Sequence, residues 1–164
     1  YQDPMPDIAA FEGYAGETHS ALYQLGAMTL DGGKPVAAAD AAGHLGVAHA
    51  LIGHLRAFGY NASQWCIFLP WSVFAANGAT ESDVLSGTKS EAIVAALGQI
   101  SELAADHVGK ARAAIEALDP ALKPVMAPLA MIEAQRRKLR LDQPFAPQPD
   151  IADWRKLLLL AAGR

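Results

Sequence analysis

Residues 48–70 read AHALIGHLRAFGYNASQWCIFLP: the end of an apolar helix, a turn, and a short extended segment stopped by Leu69-Pro70. Ala41, Leu45, Ala48, Ile52 and Leu55 recur at three- and four-residue spacing and mark one face of a helix predicted over residues 37–58. Its many small residues let a neighbouring helix approach closely. Residues 61–66 are predicted to be a loop. From Ala57 to Pro70 there is no Asp or Glu, so this helix end has no anionic side chain to offer a cation.

Working outward, the period stays helical. Asp7 is placed to cap a helix over residues 8–28, with Phe11, Ala15, Thr18, Leu22 and Leu25 as its stripe. Asp31-Gly-Gly-Lys-Pro35 breaks it. Downstream, residues 70–76 make a short helix closed by Asn77-Gly78. Thr80-Glu-Ser-Asp83 is close to a capping box and opens one more short turn before Gly87. Ser90 caps the longest helix, which runs to about Leu118 with Ile93, Leu97, Ile100, Ala104, Val108, Ala111 and Ile115 inward. Asp119-Pro120 ends it. A further helix is predicted over residues 120–140, kinked at Pro128. Residues 142–149, with three prolines, form an extended linker, and Asp150 caps a last helix over residues 151–162. The expected fold class is all-α, in one domain spanning residues 1–164.

Composition narrows the function classes. With 164 residues, 52% hydrophobic, the chain has enough material for one compact core. Aromatics are few and alanine dominates the apolar set, which favours closely packed helices. The net charge of −4 gives nothing to attract nucleic acid globally. Runs such as residues 157–162 fall far short of the roughly 18–20 apolar residues a membrane span needs. The opening YQDPMPD shows no signal peptide and no initiating Met, so a partial chain with sequence missing before Tyr1 is expected. One cysteine, Cys66, permits no internal disulfide and fits a reducing compartment.

The polar residues offer several constellations, most with an ordinary explanation. His44, His49 and His54 are five apart, which rotates each about 140° from the last on a helix and differs from the metal-binding i, i+4 spacing. His19 joins them only through tertiary contact. Glu102 and Asp106 are i, i+4, but Lys110 one turn on makes a solvated charge ladder the simpler reading. Arg136-Arg137-Lys138 and Arg140 sit where they complement a helix C-terminus. Trp65, Phe68, Trp71 and Phe74 read as a loop-anchoring cluster, with contact to an isoprenoid or a partner as the alternative. Ser63, Ser72 and Cys66 have no base at a recognisable spacing, so nucleophilic catalysis has no support.

Residues 48–70 resemble the second signature of the squalene/phytoene synthases, approximately A-x-Q-L-x-N-I-x-R-D-x-x-E-D-x-x-x-G-R-x-Y-L-P, without a gap. Ala48, Leu51, Arg56 and Leu69-Pro70 match, and Phe68 stands for an aromatic. The resemblance covers roughly residues 11–117 and implies a terpenoid-synthase-like helical bundle, the isoprenoid synthase fold, without its N-terminal helices. The departures fall on the chemistry. The family's three motif carboxylates correspond to Ala57, Tyr60 and Asn61, its amides to Ala50 and Gly53, and its Gly-Arg pair to residues 64–66, which hold no arginine. Those carboxylates hold Mg²⁺, which draws off the diphosphate. Arg56 alone touches a phosphate without organising a metal cluster.

Tyr14–Leu22 (YAGETHSAL), residues 41–70, and the helix opening GATESDVL resemble a non-catalytic branch of this family, typified by mitochondrial respiratory complex I assembly factor 6. That resemblance implies a fold reused as a binding surface in assembly of the NADH:ubiquinone oxidoreductase, with protein partners, no catalytic residue, no cofactor and no metal. Partner or lipid contacts are then expected at Tyr14, His19, Trp65, Phe68 and Trp71. It also implies a cytoplasmic location, peripheral to the inner membrane, or the mitochondrial matrix in a eukaryote. Two alternatives are an isoprenoid- or lipid-binding protein, and a prenyl transferase using farnesyl or geranylgeranyl diphosphate and Mg²⁺ whose metal site lies in a missing segment.

Overall fold

The computed structural model describes residues 4–34 and 36–162. Pro35, the last residue of the predicted break, lies outside them. Among the described residues all regular structure is helical. Helix α1 (Ile8–Ala15) passes through a π turn (Gly16–Ser20) into α2 (Ala21–Leu30). Then come α3 (Ala39–Arg56), α4 (Phe58–Ser63), α5 (Trp71–Ala76), α6 (Glu81–Leu85) and the long α7 (Glu91–Glu116). A 3-10 turn (Lys123–Met126) leads to α8 (Pro128–Arg136), and α9 (Asp153–Ala162) follows a loop.

The side-chain caps fall where the sequence puts them. The Asp7 carboxylate accepts from the Ala10 amide at 2.8 Å, and Ser90 Oγ accepts from the Ile93 amide at 3.2 Å. Thr80 and Asp83 form the reciprocal capping box of α6. These bonds satisfy amides that the first helical turn leaves unpaired. Gly78 and Gly87 take φ of +82° and +70° and close α5 and α6.

Helix α3 is the central element. The predicted stripe is buried, and Ala42, Val47, Ala50 and Leu51 on its other faces are buried as well. It packs most extensively along α7, and also against α1, the π turn, α2 and α8. The small residues are what allow this. A Cβ on Gly46 would lie 2.5 Å from the Ser20 amide nitrogen and 2.6 Å from its Cα. The helices therefore cross with backbone against backbone, and Ser20 Oγ donates to the Gly43 carbonyl at 3.1 Å across the contact.

The expectation for residues 8–28 fails in phase. Leu22 and Leu25 are exposed, while Tyr23 and Ala27 are buried. The π turn inserts one extra residue and rotates the inward face by about 100°, so the stripe beyond Ser20 moves on by one position. Nothing in the hydrophobic spacing signals that insertion.

Three further expectations need correcting. Residues 61–66 are not all loop, because α4 runs to Ser63 and ends in a Schellman closure: Cys66 N donates to Asn61 O and Trp65 N to Ala62 O, both at 3.0 Å. Residues 120–140 are not one kinked helix. Without an N–H, Pro128 starts α8 instead, and a 3-10 turn precedes it. Asp150 does not cap α9, which begins three residues later; its carboxylate accepts from Ile151 N and pairs with Lys156 and Arg56.

Two glycines of α3 should respond to alanine with opposite signs. Gly46→Ala drives a methyl into the Ser20 backbone and is expected to lower stability by about 1–3 kcal/mol or more. Gly53, whose added Cβ meets nothing within 4 Å, should gain roughly 0.5–1 kcal/mol. Urea denaturation midpoints of the two variants check both.

Candidate functional site

The site is built at the joint between α3 and α4. Ala57, at φ −91° and ψ 3°, is the single residue between them. Phe58 stacks on Phe74 at 5.7 Å, and Phe145 lies 5.4 Å away. The Phe145 backbone presses so closely on Gly59 that a Cβ there would stand 2.5 Å from its carbonyl oxygen. The joint is therefore held from both sides by packing.

At this joint Ala57 and Asn61 are half-buried, and Tyr60 is 70% exposed. The neighbouring cation is already engaged, with Arg56 Nη2 2.9 Å from Asp150 Oδ1. Asp150 also accepts from Lys156 Nζ at 2.7 Å, and chiefly that bond, with the Ile151 amide and Arg56, draws its carboxyl down to about 2. The donor set at positions 57, 60 and 61 is thus a methyl, a phenol and an amide. It does not fit Mg²⁺, which takes carboxylate oxygens. Among the described residues no three His, Cys, Asp or Glu side chains converge as a metal site.

One turn earlier the lining is aromatic. His54 stacks on Phe68 at 5.1 Å and 21°, and meets Phe11 edge-on at 5.9 Å and Tyr14 at 6.2 Å. Tyr14 and Phe68 are thus brought together through His54, next to the open Gly53. His19 does make its tertiary contact, with its ring 4.9 Å from that of His49. Thr18 Oγ1 donates to the Tyr14 carbonyl, so it accepts from His19 Nδ1 at 3.1 Å. His49 Nδ1 bonds the Tyr23 hydroxyl at 3.0 Å. Burial first, and His19 second, lower both His49 and His54 to about 4, and burial raises Tyr23 to about 12. The group is neutral at physiological pH.

His44 faces away from these, towards α7. Its Nδ1 is 3.1 Å from His107 Nδ1, while His107 Nε2 is 3.3 Å from Glu12 Oε1. If His107 donates to the carboxylate, its Nδ1 accepts from His44, and the network assigns both tautomers. Burial lowers His107 against the pull of Glu12. A cleft of about 290 Å³ runs beside this chain of contacts, lined by Gly16, Asp40 and Gly43 among others. Sequence reasoning missed both the Glu12–His107–His44 chain and the Arg56–Asp150 pair. Their members come from distant segments of the chain, and no spacing connects them.

The remaining candidates diverge. Trp71 is half-buried and stacks on Phe74 at 5.8 Å and 8°, inside the aromatic packing of the joint. Trp65 stands 73% exposed at φ +60°, in the position that closes α4. A large side chain in that left-handed conformation is strained. Asp106 pairs with Lys110 at 2.7 Å on the exposed face of α7.

Two predictions follow from this geometry. Trp65→Gly should raise the stability by about 1 kcal/mol in a denaturant melt, because strain is released and little packing is lost. Because His49 and His54 titrate lower folded than unfolded, their contribution is present above the unfolded value near 6.5 and is lost as pH falls towards 4. Stability should drop by up to about 1.4 kcal/mol per pH unit for each histidine in that window, and His54→Phe should flatten the slope.

The family description Squalene/phytoene synthase matches residues 1–155. The rat protein named NADH dehydrogenase (ubiquinone) complex I, assembly factor 6 is 33% identical over 105 residues, 64% of this chain and 31% of its own length. The human protein of that name is 30% identical over 106 residues, 65% of this chain and 32% of its own. The chain thus spans about a third of the length of the curated relatives it matches. A dehydrosqualene synthase crystallised with a ligand superposes with a TM-score of 0.74 at 17% identity, covering 99% of this chain and 58% of that one. That likeness shows the terpenoid-synthase-like fold. With a family match over nearly its whole length, this chain belongs to the squalene/phytoene synthase family.

Proposed function

We propose that this chain is a catalytically inactive member of its family that serves as an assembly and binding factor for respiratory complex I. The observation that carries the reading is the joint itself. Three positions that need anions hold Ala57, Tyr60 and Asn61, and the adjacent Arg56 is paired with Asp150. Ionising an allylic diphosphate needs charge neutralisation at the leaving group, and these side chains supply none. The similarity to complex I assembly factor 6 supports the partner class. Under this reading the neutral aromatic lining around His54 is structural.

Two experiments test it. Isothermal calorimetry should detect no Mg²⁺ binding at the joint of the unaltered chain, whereas Ala57→Asp with Tyr60→Glu and Asn61→Asp should create a measurable site. Carboxylates at these spacings share one helix face. The full-length protein, tagged in a host that assembles complex I, should co-purify with subunits of that complex. Recovery of none under mild solubilisation would contradict the proposed role.

A further inference from the structure

Helix α9 turns its apolar residues outwards. Trp154, Leu157 and Leu158 are 66%, 68% and 59% exposed, at the i, i+3, i+4 spacing of a single face. Leu159 and Leu160 on the other side are half-buried, and α9 packs on α8. No residue of α9 is fully buried. The helix is anchored by one side and presents a Trp and two Leu to the surroundings by the other.

The charge beside this face is specific to it. Residues 136–162 carry six basic side chains against three acidic ones, in a chain whose net charge is −4. The rest of the molecule is therefore strongly acidic, and the positive charge is concentrated at this end. Lys138 Nζ donates to the Asp150 carbonyl at 2.9 Å, which ties the basic end of α8 to the start of α9. Lys138, Arg140 and Arg155 are exposed, while Arg137 is paired with Glu133 at 2.6 Å. Lys156 is taken up by Asp150 and Asp153.

We propose that α9 lies in the headgroup region of an anionic phospholipid membrane, with Trp154, Leu157 and Leu158 in contact with the acyl boundary and the neighbouring arginines on lipid phosphates. Ten residues span about 15 Å, half of a hydrocarbon core, so the helix lies in the plane of the surface and does not cross it. No helix among the described residues is long and apolar enough to cross a membrane. A second copy is the competing occupant of this face, and the vesicle test separates the two. The outward leucines of α2 do not share the property. Leu22 and Leu25 sit on a helix without a basic residue, between Glu17 and Asp31. The inference does not depend on a role in complex I.

Sedimentation with vesicles tests it. The chain should bind phosphatidylcholine vesicles containing roughly 30 mol% anionic phospholipid, bind neutral vesicles far less, and lose affinity as salt rises. Trp154→Ser with Leu157→Gln and Leu158→Gln should weaken binding about tenfold or more. Because these side chains are exposed, the melting curve should be retained. Arg140→Glu with Arg155→Glu should weaken binding to anionic vesicles, and Leu22→Gln with Leu25→Gln should leave it unchanged. Absence of binding to anionic vesicles would overturn the proposal. So would equal binding by the α9 triple variant, or a concentration-dependent dimer abolished by that variant.

Discussion

The backbone contact between Gly46 and Ser20 is the constraint from which the rest of this structure is built. No Cβ fits there, and the Ser20 hydroxyl closes the contact on Gly43. That approach lets a helix as small-sided as α3 be buried on several faces, against α7 on one flank and the π turn on another. It also gives the π turn a role. The extra residue brings His19 over His49 and turns Tyr23 inwards to bond it. One steric requirement at Gly46 thus fixes the histidine and tyrosine arrangement on the way to the α3–α4 joint.

The joint is held by apolar contacts, and its side chains at positions 57, 60 and 61 are neutral. Phe58, Phe74, Phe145 and Trp71 hold Ala57 in place by ring stacking and backbone packing, none of which involves charge. A fold stabilised in this way can lose carboxylates without losing its shape, because removing surface anions costs little when apolar contacts carry the packing. The nearby aspartate, Asp150, belongs to the loop before α9 and is occupied by Arg56 and Lys156. Charge at this end of the molecule ties chain segments together.

Much of this was legible in the sequence because it is local. The caps at Asp7, Thr80 and Ser90, the turns at Gly78 and Gly87, and the stripes of α3 and α7 all depend on neighbours within one or two helical turns. The family signature in residues 48–70 was legible for the same reason. What could not be read depends on contacts between distant segments. The π turn ends at Ser20, where that residue meets Gly46, and it sets a phase for Leu22 and Leu25 that could not be derived from their own spacing. The Glu12–His107–His44 chain and the Arg56–Asp150 pair join residues from separate segments, and Trp65 stands where propensity favours glycine.

The central claim is that this chain keeps the fold of its family without the chemistry. Incubating the full-length protein with farnesyl or geranylgeranyl diphosphate and Mg²⁺, and measuring diphosphate release, tests it most directly. The account predicts release no faster than in the protein-free control. Release above that control, abolished by a chelator, would contradict it.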